Sequence, residues 1–147
     1  MSAGLEAIAP EAFAPAAELA LPAAASEDAH RLAAHAGDGI HVLLAQSVVV
    51  PARFEELVLV IDGSARPALP VEVLDAAERL VERLARAGVP LPGGLRVVTR
   101  EAFARDLAAM RAAPDPRTWG GPPDARQRRY HRLGARAAVA PPATGQA

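Results

Sequence analysis

The chain has 147 residues, no cysteine, and 17 carboxylates against 16 basic residues that are all arginine. Disulfides, thiolate metal sites and cysteine nucleophiles are thereby excluded, and no apolar run approaches the roughly 20 residues of a membrane helix. Charge is sorted along the chain: residues 1–75 hold three arginines against eleven carboxylates, residues 76–147 thirteen against six. A basic segment that seeks carboxylates or phosphates is thus joined to an acidic half. The N-terminus, with Glu6 and no basic residue before Pro10, does not fit a secretory leader, so a cytoplasmic protein is expected. Arginine without lysine, together with abundant Ala and Pro, reads as the coding bias of a GC-rich bacterium, which makes the clustering of arginine more informative than its number.

Residues 1–25 carry Pro10, Pro15 and Pro22 at a spacing that forbids a long helix, and a disordered Ala/Pro-rich arm is expected. Within it Leu5, Ile8, Phe13 and Leu19 could dock on a partner as a short linear motif. Ser26 with Glu27 and Asp28 reads as the start of a helix that Gly37 ends. The α/β core is expected to run from residue 26 to 113.

Two β-branched apolar runs follow, Ile40–Val50 and Leu57–Ile61, joined by only PARFEE. So short a link predicts an antiparallel pair, and the unbroken apolarity of the second run predicts an inner strand. Val71 to Ala87 is the strongest helix pattern, with Val73, Ala77, Leu80, Val81, Leu84 and Ala87 on one stripe and the pairs Asp75–Arg79 and Glu82–Arg86 on the wet side. A third strand spans Leu95–Val98, and Thr99 caps a helix from Arg100 to about Ala112 that buries Phe103, Leu107 and Met110. Strand, helix, strand at this length is a parallel crossover. The fold class is therefore α/β, a small mixed sheet of at least three strands with packed helices, flanked by Ala/Pro-rich arms.

Residues 114–123 read as a Pro/Gly linker, 124–140 as a basic amphipathic helix and 141–147 as a disordered tail. On a helix from Asp124, Arg128, Arg129, Arg132 and Arg136 share an arc of about 100°, with Tyr130, Leu133 and Ala137 on another side.

The segment VLVIDGSAR, at the carboxyl end of the second run, lies where ligands collect in open α/β sheets. It resembles the metal-ion-dependent adhesion motif of von Willebrand factor A-type domains, which implies a divalent ion held by Asp62 and Ser64. Arg66 stands where that family has a second serine, and its charge repels a cation, so the expectation is a plain strand-to-helix turn with no metal and no cofactor. Gly63-Ser64 with Glu72 and Asp75 is similar to the glycine-serine and paired-acid pattern of nucleotidyltransferases, whose acids project together from a strand to hold magnesium. Here the acids fall in the first turn of a helix, where the dipole accounts for them. GVPLPGG lacks the lysine and hydroxyl of a phosphate loop, and His30, His35, His41 and His131 make no ligand spacing.

The leading expectation is a non-catalytic accessory or adaptor protein whose arginine helix binds a protein partner with an acidic surface, or a second copy, through Arg126, Arg128, Arg129, Arg132, Arg136, Trp119 and Tyr130. Two alternatives stand beside it. One is a nucleic-acid-associated regulator in which the same arginines bind phosphate and the aromatics stack on bases. The other is a metal-binding or enzymatic α/β domain centred on Asp62, Ser64 and Arg66.

Overall fold

The computed structural model describes residues 5, 12, 13, 20–47, 53–62, 69–112 and 128–133. Its elements in chain order are α1 (Ala23–Ala36), β1 (Ile40–Ser47), β2 (Arg53–Ile61), α2 (Val71–Arg86), β3 (Gly94–Thr99), α3 (Arg100–Ala112) and β4 (Arg128–Arg132). The strands form one mixed sheet in the order β3-β2-β1-β4, and the fold is α/β as the sequence pattern predicts.

β1 and β2 pair antiparallel from Ile40↔Ile61 to Ser47↔Arg53, with a register shift between Ala45 and Gln46. β2 and β3 pair parallel, α2 making the crossover. β2 is longer than its apolar run: Arg53–Glu56, expected as a link, extends the strand, and Glu55 and Glu56 are both buried. The turn into β3 presses against this part of β2. A Cβ on Gly93 would lie 2.9 Å from the Glu55 carbonyl oxygen and 3.0 Å from the Glu56 Cβ, so only glycine allows the Gly93 N–H to donate to that carbonyl at 2.7 Å.

α1 starts at Ala23 rather than Ser26. Pro22 precedes it with φ −55°, already fixed near the helical value, and the alanines that follow favour helix, so no side-chain cap is used. Gly37 ends α1 with φ 64°, as read from the sequence. α3 has its expected cap, the Thr99 Oγ1 accepting the Ala102 N–H at 3.1 Å.

The sheet separates two cores. On one face Ala25, Ala29 and Leu32 of α1 and Val73, Ala77, Leu80 and Leu84 of α2 cover Val42, Leu44, Leu57 and Leu59. Of the predicted α2 stripe, Val81 is half-buried and Ala87 exposed. Between the two helices Asp28 is buried, and its carboxylate accepts from Arg31 at 3.1 Å and Arg83 at 2.9 Å. On the other face Phe103 and Leu107 of α3 pack with Leu43, Ala45, Val58, Val60 and Tyr130. The side chain of Met110 lies outside the described residues.

Two expectations at the chain ends are corrected. Arg128–Arg132 is a strand, not a stretch of amphipathic helix, and pairs antiparallel with β1 from Leu43↔Arg132 to Ser47↔Arg128. The reason is β1 itself: it is apolar on both faces, and β2 satisfies only one of its edges. Strand alternation sends Tyr130 into the α3-side core and Leu133 into the α1/α2-side core, whereas a helix would hold both on one side. Leu5, Ala12 and Phe13, assigned to a free arm, also pack in the α3-side core, and Phe13 makes a single parallel bridge with Tyr130. Ile8 and Leu19 lie outside the described residues, as do 48–50 of the first apolar run, the linker 114–123, and 124–127 and 134–147 of the expected helix and tail.

Candidate functional site

The densest polar cluster among the described residues lies on the α3 side of the sheet and draws on β2, β3, β4 and α3. One transverse row of the sheet reads Gly94, Glu56, Ala45, Tyr130. Glu56 is flanked on both neighbouring strands by the smallest side chains, which leaves room above them. Into that room reach Arg96, paired two residues along β2 with Val58, and Arg128, paired with Ser47 at the end of β1. Both guanidiniums meet the same carboxylate oxygen, Arg128 Nη1 at 2.8 Å and Arg96 Nη2 at 3.2 Å. Arg96 also extends Nη1 to Asp106 of α3 at 3.7 Å and lies 5.9 Å over the Phe103 ring.

Tyr130 forms the floor beside this cluster. Its ring lies 5.7 Å from Phe13 and 5.2 Å edge-on from Phe103. Burial pushes the phenol above its ordinary 10.0, against the opposing pull of the Arg128 and Arg96 charges. At neutral pH the group is a protonated phenol, able to donate or accept a hydrogen bond and not a phenolate nucleophile. Glu56, held by two cations at once, serves as an anionic clasp for β3 and β4 and is not positioned as a free base.

The β1–β4 seam carries two histidines. Arg132 Nη1 donates to His41 Nδ1 at 2.8 Å, and His131 Nε2 donates to Gln46 Oε1 at 2.7 Å while its ring meets Phe54 edge-on at 5.8 Å. His41 is half-buried in β1; His30 is half-buried and His35 exposed on α1. Among the described residues no group of three or more His, Asp or Glu is arranged to hold a metal ion.

Of the residues singled out from sequence, Arg128, Arg129, Tyr130 and Arg132 share β4, and Asp62 follows β2. Arg128 points to Glu56 and Tyr130 is only 5% exposed, so neither is presented outward. Arg132 is half-buried against His41, and Arg129, half-buried, points to the opposite face. Trp119, Arg126 and Arg136 lie outside the described residues, as do Ser64 and Arg66. Asp62 follows β2 directly and its N–H donates to the Gly39 carbonyl at 2.9 Å. Glu72 and Asp75 are both exposed in the first turns of α2.

Sequence reasoning missed Glu56, Arg96 and the Asp28–Arg83 pair. A usable signal existed for Glu56, a charged pair abutting the run LVLVI on an inner strand, since a carboxylate there must find cations. Its partners, 40 and 72 residues away along the chain, carried no local signal. Comparison of the chain with protein-family models, curated sequences and solved structures found no match. No helix among the described residues is long and apolar enough to cross a membrane.

Proposed function

We propose that this chain is a non-catalytic accessory or adaptor protein that docks on an acidic protein surface through the arginines borne on and around β4. The observation that carries the reading is the anchoring of β4: backbone pairing to β1 and the Glu56 clasp hold the middle of the arginine-rich segment to the sheet edge. In the sequence Arg126 stands two residues before β4 and Arg136 four after it, so both belong to the same arginine-rich segment. The arginines of β4 itself are therefore held at one edge of the sheet, and a positive surface localised there would steer and orient an acidic partner. Arginine is well suited to such a contact because its planar fork meets a carboxylate through two hydrogen bonds.

A nucleic-acid partner is less well supported. Tyr130 is buried between Phe13 and Phe103, so it offers no ring face to a base. Fluorescence anisotropy of the full chain with a labelled Glu/Asp-rich peptide, and with single-stranded DNA of equal charge, tests the proposal. The expected result is peptide binding that weakens with salt, exceeds binding of the DNA, and is lost in the double variant Arg126→Glu/Arg136→Glu. Tighter binding of the DNA, or peptide binding indifferent to the double variant, overturns it.

A further inference from the structure

We propose that two copies of this chain join through the outer edges of their β3 strands, antiparallel about a two-fold axis at Val97, into one continuous sheet. This goes beyond the proposed partner contact and lies at the opposite edge of the sheet. The two edges differ. β4 is short, bears three arginines and is bridged by Phe13. β3 pairs only with β2, and among the described residues nothing pairs with its outer side.

Exposed strand edges are normally blunted by charge, proline, a bulge or a covering segment. Among the described residues β3, Gly94–Thr99, shows none of these devices: it contains no proline, its register against β2 is unbroken, and its single charge is turned inward. That charge, Arg96, is bound to Glu56 and lies over Phe103, so it does not guard the edge. At the centre of the strand Val97 is 43% exposed, one of two large apolar residues so placed among those described.

The strand is complementary to itself, which is why the occupant is a second copy. With the axis at Val97, Val97 faces its symmetry mate, Leu95 faces Thr99, and Arg96 faces Val98. The one arginine never meets its twin, and the central pair is β-branched on both sides, a favourable cross-strand combination. An isologous contact of this kind closes at two copies, giving a sheet in the order β4-β1-β2-β3-β3-β2-β1-β4 and leaving both β4 edges outward.

Sedimentation velocity of the full chain over a range of micromolar concentrations tests the proposal. The wild type is expected to sediment as a concentration-dependent dimer, and Val97→Lys and Val97→Glu, each bringing like charges face to face on the axis, as monomers with unchanged far-UV circular dichroism. Mixing the two variants is expected to restore the dimer, because lysine then faces glutamate; a general loss of folding could not do this. A monomeric wild type, a dimer that persists in both variants, or no recovery on mixing overturns the assignment.

Discussion

The two faces of the sheet use the same device with different reach. On the α1/α2 side a buried carboxylate, Asp28, holds two arginines, one a single turn away on the same helix and the other on the neighbouring helix. On the α3 side a buried carboxylate, Glu56, also holds two arginines, but they arrive from β3 and β4 on opposite sides of it. The first cluster fastens two helices that their apolar stripes already bring together. The second fastens the end of the chain to its middle. Solvent separates them further: Arg31 and Arg83 are 54% and 45% exposed at the side chain, whereas Arg128 is 15% exposed.

Removing the hub of each face should expose the difference. The largest effect is expected from Phe103→Ala, which empties the middle of the α3-side core and takes away the ring that supports Tyr130 and Arg96. A loss of about 3–5 kcal/mol in urea unfolding is expected, with a changed near-UV signal from the single tyrosine. Next comes a matched pair of carboxylate deletions. Glu56→Ala strands a mostly buried guanidinium and should cost about 2–3 kcal/mol, while Asp28→Ala frees two arginines that water can reclaim and should cost about 1 kcal/mol. Equal shifts of the denaturation midpoint in the two variants would mean that the clusters are energetically alike. Thr99→Ala removes the cap of α3 and should cost about 1 kcal/mol, read as a fall in thermal midpoint with unchanged cooperativity.

The smallest effect at neutral pH is expected from Tyr130→Phe, yet it has the clearest pH signature. Because burial raises the folded-state value above 10.0, the unfolded chain loses the phenolic proton first as pH rises. The folded state therefore loses stability above about pH 10, with the full contribution present below it. Thermal midpoints of wild type and Tyr130→Phe should diverge in favour of the variant as pH climbs past 10. Phenolate absorbance of the only tyrosine provides a direct titration alongside; a phenol that titrates at its ordinary value would contradict the buried arrangement.

How far the sequence could be read tracks the range of the interactions involved. The helix expected over Val71–Ala87 is α2, Val71–Arg86, because its apolar stripe and i,i+4 charges repeat within four residues. The Thr99 cap was legible because it spans three residues, and the hairpin of β1 with β2 and the parallel crossover to β3 because the lengths of their connections select those pairings. β4 was not. The spacing of Tyr130 and Leu133 fits one side of a helix, and it fits equally well a strand whose alternate residues enter two different cores. Leu5 and Phe13 read as part of a proline-broken arm because the core they join is built by residues thirty or more positions away in the chain. Glu56 could have been flagged as a buried charge in search of cations, but not matched to Arg96 and Arg128.

The sequence by itself determined the α/β class, the three helices, the paired inner strands and the sorting of charge into an acidic first half and a basic second half. These depend on local periodicity, on turn chemistry and on counting. Only the tertiary structure decided that residues 128–132 become a strand, that Leu5 and Phe13 turn inward, and that Arg128 closes on Glu56. The physical reason is that β1, apolar on both faces, leaves one edge of backbone donors and acceptors without a partner. That demand is met by whichever distant segment can bury Tyr130 on one side and Leu133 on the other.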